Sequence, residues 1–233
     1  MHGVIMLAAG SGERMGDKIP DKILEPIGPS NAFNMSLYAF AHVEKIEAFV
    51  IVFRDEKQME MLKREVNRSA HSLSNKIILF VRGGKERSDS VRNGLNELPE
   101  NCEFVHIHDC ARPMIRRETI ETLVNQVSQN KAIVVARPVT NTIRRKLSRE
   151  ELALTETLPR NELWEMETPQ SGPRAWFTEG YSKAQELNLK LTDDMHAIEL
   201  LPQKIMFLEA GYPNPKITHP QDIKFVSSLM NNE

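Results

Sequence analysis

The residues best equipped for chemistry lie near the start of the chain. Gly10, Ser11 and Gly12 follow an apolar run at positions 4–9, and Arg14, Lys18 and Lys22 come next, within GVIMLAAGSGERMGDKIPDKIL. Glycines let backbone N–H groups approach phosphate oxygens, and cations after them neutralise phosphate charge. A buried strand feeding such a turn is what a polyphosphate site needs. Two familiar phosphate loops do not fit. Met15 stands where the dinucleotide fingerprint needs Gly or Ala and where the Walker loop needs its second glycine. Both motifs also require a helix directly after the turn. Pro20 and Pro26 break the segment here, so it reads as a long ordered loop. The bland alternative, a polar surface loop after an edge strand, is the lesser reading of the local pattern.

The elements around this loop give it company. Apolar runs at 4–9, 48–53, 77–81, 104–108 and 132–136 predict strands, and segments 31–43, 55–70, 88–98 and 115–127 predict helices. Ser30 or Asn31 and Asp55 are candidate helix caps. The alternation predicts an α/β fold with a doubly wound sheet and right-handed crossovers. Ligands of such sheets sit outside the carboxyl ends of the strands. Three loops fall there, 10–22, 83–87 and 109–113, and each carries a cation.

The pattern breaks after Pro138. VTNTIRRKLSREELALTETLPR has little core periodicity, and residues 139–160 predict an extended arm. Its apolar residues Ile143, Leu147, Leu152 and Leu154 need a partner, which makes the arm a route to a homodimer. The chain returns through Leu163, Trp164 and ETPQ to a helix near 174–187. Thr192 is placed to cap a helix with Asp193 and Asp194 in its first turn. A strand at 204–208 and a helix opened by the box Thr218–Gln221 complete a single domain of 233 residues.

Composition narrows the function. A formal net charge of -2 speaks against binding to polymeric nucleic acid, whose partners carry a strongly basic face. Cys102 and Cys110 form neither a disulfide framework nor a zinc pattern, which points to a reducing cytoplasm. The run at 4–9 is too short for a secretory signal, and no apolar stretch approaches the ~20 residues that span a bilayer. His106 and His108 share one strand face and are expected to pack against a helix rather than bind metal.

Seven blocks occur in order: LAAGSGERMG, GGKERSDSVRNGL, VHIHDCARP, NTIRR, PRNELWEMETPQ, TDDMHAIE and PNPKITHPQD. In these the chain resembles the 2-C-methyl-D-erythritol 4-phosphate cytidylyltransferases of the non-mevalonate isoprenoid pathway. The resemblance implies a Rossmann-like nucleotidyltransferase domain with a protruding β-arm that builds a homodimer. It also implies CTP as donor, a polyol phosphate as acceptor and a divalent cation, usually magnesium. By the same resemblance, Ala8, Ala9, Gly10, Ser11 and Gly12 contact the nucleotide, as do Gly84, Arg87 and Ser90, and Cys110 lies near the ribose. Arg14, Lys22 and Lys216 are the catalytic cations. Asp109 positions magnesium or the acceptor, Arg112 meets the acceptor phosphate, and Thr142, Arg160, Thr168, Thr192 and Asp193 flank the acceptor, the first three from the neighbouring subunit.

The chemistry agrees with such a site. In nucleotidyl transfer an ionised phosphate attacks the α-phosphorus and pyrophosphate leaves, so catalysis is positioning plus charge stabilisation. Two departures keep alternatives open. The family's Pro-Lys-Gln appears as Pro20-Asp21-Lys22, so Lys22 must supply the cation one residue late while Asp21 points away. Asn141 replaces the usual aspartate of the arm. Three readings follow: transfer to methylerythritol phosphate, transfer to ribitol 5-phosphate or another polyol phosphate, and a catalytically reduced dimeric nucleotide-binding paralogue.

Overall fold

The computed structural model describes residues 1–10, 12–16 and 19–230. The chain runs β1 (His2–Leu7), a short ladder of β2 (Pro26–Ile27) and β3 (Ser30–Asn31), α1 (Ala32–Ala41), β4 (Ile46–Phe53), α2 (Glu56–Arg68), β5 (Ile77–Arg82) and α3 (Arg87–Glu97). It continues with β6 (Phe104–Asp109), α4 (Arg117–Gln126), β7 (Ala132–Pro138), β8 (Ile143–Lys146), β9 (Thr155–Leu158), β10 (Trp164–Pro173), α5 (Arg174–Glu186), α6 (Asp194–Glu199), β11 (Ile205–Leu208) and α7 (Pro220–Met230). Among the described residues the main sheet has seven strands, ordered β11-β7-β10-β6-β1-β4-β5.

Strand residues alternate between two apolar layers, as period-two side chains must. Val4 and Met6 of β1, with Phe49 and Ile51 of β4, pack against Phe33, Leu37 and Phe40 of α1 and Leu62 of α2. Ile5, Val50 and Val52 face the other way, toward Val91 and Leu95 of α3 and Phe177 of α5. Both faces of the central strands are covered, which is why they read as unbroken apolar runs. Gly94 lets α3 lie close on β1: a Cβ there would stand 2.7 Å from Ile5 Cγ2.

Asn31 and Asp55 cap α1 and α2 through bonds to the N–H groups of Asn34 and Gln58, as the sequence predicts. Two expected caps move. Asp193, not Thr192, caps α6, accepting from the His196 N–H at 3.0 Å. At α7 the side chain that reaches back is Asp222, not Gln221; it accepts from the N–H groups of Thr218 and His219 at 2.8 Å each.

The larger correction is β10. Periodicity gives only a passage through ETPQ, yet Trp164–Pro173 is a long strand, antiparallel to both β6 and β7. Pro169, Gly172 and Pro173 argue locally against a strand, and register shifts between Met166 and Gln170. The sheet is therefore mixed.

The arm exists as an antiparallel hairpin of β8 and β9, separate from the main sheet. Leu152 and Leu154 are 90% and 82% exposed. No helix among the described residues is long and apolar enough to cross a membrane.

Candidate active site

The chain crosses from β5 back over β1 to β6, so the strand order reverses between β1 and β6. A cleft of about 460 Å³ opens there, at the carboxyl ends of these strands. Its floor is the backbone from Leu7 to Gly10 with Gly12, where a φ of 69° favours glycine. Arg14, Lys22, Lys85, Arg87 and Lys216 line it as cations, and Asp109 is the single carboxylate on its lining among the described residues.

Asp109 closes β6 and is held on every side. Its Oδ1 accepts from Arg87 Nε at 3.1 Å and Nη2 at 3.0 Å, its Oδ2 accepts from Lys216 Nζ, and its N–H donates to Thr168 Oγ1 at 3.2 Å. Burial alone would raise its pKa, but Arg87 and Lys216 outweigh burial and hold it well below the usual carboxylate range. Arg87 also forks onto Asp194, Nη1 to Oδ1 and Nη2 to Oδ2 at 2.8 Å each. Tyr181 donates to the same Asp194 Oδ1 at 2.5 Å, and Gln170 Oε1 accepts from the Asp194 and Met195 N–H groups at 2.8 and 2.9 Å. Burial works against the Arg87 charge, and the two aspartates overcome it and raise its pKa. A linear set of charges thus runs from α6 to the cleft: Asp194, Arg87, Asp109, Lys216.

Beside Lys216, Lys22 Nζ donates to the Ile217 carbonyl at 3.0 Å. Burial lowers its pKa, and the neighbouring Lys216 and Arg14 lower it further. Asp21 turns the other way and is 7% exposed, so the displaced lysine does reach the cleft. Ser90, at the start of α3, accepts from the Gly84 N–H at 3.1 Å. Gly84 itself supports Ser90 and is not part of the lining.

Among the described residues, several expected ones do not line this chain's own cleft. Ser11 is outside the described residues. Cys110 is fully buried in the apolar layer beneath α1, and burial pushes its thiol pKa up. Arg112 points to the carbonyls of Asn214, at 2.9 Å, and Met166, at 3.4 Å; its buried Nε has no hydrogen-bond partner among the described residues. Thr168 is buried and holds the Asp109 backbone. Thr192 and Asp193 line a separate hollow of about 270 Å³ with Met195 and Phe207. Thr142 and Arg160 are exposed on the arm, where Arg160 Nη1 donates to the Thr140 carbonyl at 3.0 Å. His106 and His108 are buried, bonded to Ser171 Oγ at 2.8 Å and to Ser36 and Thr168 hydroxyls at 3.2 and 3.1 Å.

Sequence reasoning missed Lys85, Asp194, Gln170 and Tyr181. Lys85 sits inside GGKER, between Gly84 and Arg87, and reads there as one more solvated cation. Asp194 follows Asp193 and reads locally as a helix-dipole acid; only the fold brings it to Arg87.

The sequence profile described as IspD, 2-C-methyl-D-erythritol 4-phosphate cytidylyltransferase, matches residues 2–232. The enzyme so named from Lachnospira eligens is 36% identical over 233 residues, covering 99% of both chains. The one from Clostridioides difficile is 31% identical over 233 residues, covering 100% of this chain and 95% of its own. The crystal structure of 4-diphosphocytidyl-2C-methyl-D-erythritolsynthase from Anaerococcus prevotii has the same fold, with a TM-score of 0.85 at 24% identity over 99% of this chain and 96% of that one.

Proposed function

We propose, for a chain that belongs to the 2-C-methyl-D-erythritol 4-phosphate cytidylyltransferase family, that this cleft transfers the cytidylyl group of CTP to 2-C-methyl-D-erythritol 4-phosphate. Pyrophosphate is released, and the step serves isoprenoid precursor synthesis. The observation that carries the reading is the lining of the cleft: five cationic side chains and one carboxylate beside a glycine turn.

The reaction asks for little covalent help. An ionised oxygen of the acceptor phosphate attacks the α-phosphorus. The new P–O bond forms as the α–β bridging bond breaks, and pyrophosphate leaves with the electron pair. No general base is required; what the site must supply is charge and alignment. Ala8 to Gly12 and Arg14 serve the triphosphate. Lys22, bonded to the Ile217 carbonyl, and the adjacent Lys216 serve the α-phosphate and the acceptor. Ser90 is placed for the base, and Asp109 keeps Lys216 from collapsing onto the triphosphate side.

The donor set fits a divalent cation such as magnesium. No group of three metal-ligating side chains occurs among the described residues. Magnesium, however, binds through one or two carboxylates plus substrate phosphates. Asp109 and the triphosphate oxygens would hold it, and when bound it would neutralise phosphate charge.

The arm belongs to the same proposal. Leu147, Leu152 and Leu154 need cover, and Thr142 and Arg160 do not line this chain's own cleft. In a homodimer whose arms reach across, both needs are met and each site is composite. Cytoplasmic residence accords with two cysteines that are buried and unpaired.

The test is pyrophosphate release by purified protein with CTP and magnesium, given methylerythritol phosphate or ribitol 5-phosphate. Release with the first acceptor is the expected result. Release with ribitol phosphate alone, or CTP binding without release on either, sinks the proposal.

A further inference from the structure

Behind the floor of the cleft, on the side turned from the substrates, three polar side chains converge on the backbone that shapes it. Gln58 is fully buried at the first turn of α2. Its Nε2 donates to the Ala8 carbonyl at 3.0 Å and to Asp21 Oδ2 at 2.6 Å, and its Oε1 accepts from the Arg54 N–H at 2.7 Å. Arg54 reaches the Gly10 carbonyl with Nη1 at 3.3 Å and lies 3.5 Å from Asp21 Oδ2 with Nη2. Asp21 Oδ1 accepts from the Ile23 N–H at 3.2 Å, and the Asp21 carbonyl accepts from the Leu24 and Glu25 N–H groups at 3.2 and 3.1 Å. The end of β1, the glycine turn and the Asp21 turn are thus all tied to one place, the junction of β4 and α2.

These ties have a direction. In a trans peptide the carbonyl and the N–H point to opposite sides. Pinning the Ala8 oxygen from behind therefore turns the Ala9 N–H toward the cleft that Ala9 lines. Asp21 and Lys22 divide in the same way. The carboxylate goes inward to Gln58, and the next side chain goes outward, to the Ile217 carbonyl across the cleft.

We propose that Asp21, clamped by Gln58 and Arg54, is the positioning residue for Lys22 and the phosphate loop, acting from behind the cleft without touching substrate. The inference rests on the cytidylyltransferase reading and deepens it. It gives a physical role to the position where the resemblance expects lysine. Here aspartate anchors the turn, and the anchor lets the following residue deliver the cation.

A double-mutant cycle tests this. Asp21→Ala, Lys22→Ala and the double variant are compared with wild type for kcat, for KM of each substrate and for CTP affinity by calorimetry, each per folded molecule, with Tm alongside. Asp21→Ala should lower kcat by at least about tenfold, and the double variant should be no more than about threefold slower than Lys22→Ala alone, because both act through one ammonium. Asp21→Asn keeps an acceptor for the Ile23 N–H but sets an amide NH₂ against Gln58 Nε2 and Arg54, so it should lose kcat as Asp21→Ala does; recovery to within about threefold of wild type would overturn the clamp. Multiplicative losses, or a lower Tm with unchanged kcat, overturn the proposal. If Asp21→Ala does not fold, Asp21→Ser runs the same cycle, since it keeps an acceptor for the turn but is too short for Gln58. If wild type binds CTP but turns over no methylerythritol phosphate, the functional reading has failed on its own. The cycle is then read in CTP affinity, where additive losses overturn the clamp and non-additive ones support it. Absence of CTP binding by wild type overturns both.

Discussion

Replacing Asp194 by asparagine removes one charge and little volume, so its effect isolates electrostatics. Asp194 is fully buried, and it accepts two bonds from the Arg87 guanidinium and one from Tyr181. An amide offers one oxygen where the carboxylate offers two, so one of these three donors must face an NH₂ group. Removing one partner of a buried ion pair costs about 3–5 kcal/mol, chiefly because the other charge stays buried and unpaired. Arg87 is discounted from that range, for it keeps its two bonds to Asp109 and its side chain is 32% exposed. About 3 kcal/mol is the resulting expectation. For a chain of this size that is a fall in Tm of about 6–12 °C. Scanning calorimetry at pH 7 reads it directly, and initial-rate kinetics should show kcat/KM falling with it, since Arg87 orients Asp109 and Asp109 orients Lys216. A Tm within about 2 °C of wild type, with kcat/KM unchanged, would refute the idea that this buried pair organises the cleft.

Other outcomes follow from the same geometry. Lys22→Ala should lower turnover by at least about tenfold, roughly 1.4 kcal/mol of transition-state stabilisation, in a pyrophosphate-release assay. Burial beside two cations lowers the Lys22 pKa, so kcat/KM should begin to fall at a pH below that of an ordinary lysine, and Lys22→Arg should remove that limb. His106 and His108 are held neutral by burial, with pKa values lowered to about 3 from an unfolded value near 6.5. The unfolded chain therefore binds more protons in that window, and stability must drop as pH falls through it. From pH 6.5 to 5 each should cost about 2 kcal/mol. His2, lowered to about 4 by burial, adds to the same window, so urea midpoints measured across this range should fall, and His106→Gln should flatten the slope by about a third. Deleting residues 141–156 should yield a monomer in sedimentation velocity with no measurable cytidylyl transfer; a fully active dimer would mean that the sites are not composite.

The sequence made the central strands legible because burial on both faces leaves a continuous apolar run, as in 48–53. It made the phosphate loop legible because glycine and cations must lie together in the chain to cradle one anion. Contacts assembled from distant segments left weaker traces. Trp164–Pro173 joins the sheet against its own local signals, since its prolines and glycine are tolerated only where flanking strands supply the pairing. The resemblance puts Cys110 near the ribose, yet at a strand end successive side chains take opposite sides, and the thiol falls into the apolar layer. Asp194 had the same fate in reverse. Its neighbour Asp193 takes the visible capping role, and the residue beside it carries the buried charge.

The cleft holds more positive charge than it neutralises, and the way it holds that charge bears on catalysis. Asp109 accepts from both Arg87 and Lys216, so two of the cations are already paired, while among the described residues Arg14 makes no ion pair and Lys22 bonds to a carbonyl. The unpaired half lies beside the glycine turn, where the triphosphate brings the greater charge. The paired half lies at the end of β6. Lys216 is 38% exposed in its side chain, so its bond to Asp109 can lengthen toward a phosphate without burying a bare ammonium. Charge built around fixed pairs needs little rearrangement when the phosphoryl group develops its own, and preorganisation of that kind is worth more in a water-poor cleft than any single added contact. The carboxylate therefore contributes by restraint. Asp109→Asn should loosen Lys216 while leaving it charged, and it should also weaken the magnesium–CTP site, so KM for the acceptor should rise even at saturating CTP and magnesium. An acceptor KM unchanged under those conditions, measured by initial rates, would mean that Lys216 is steered by something other than Asp109.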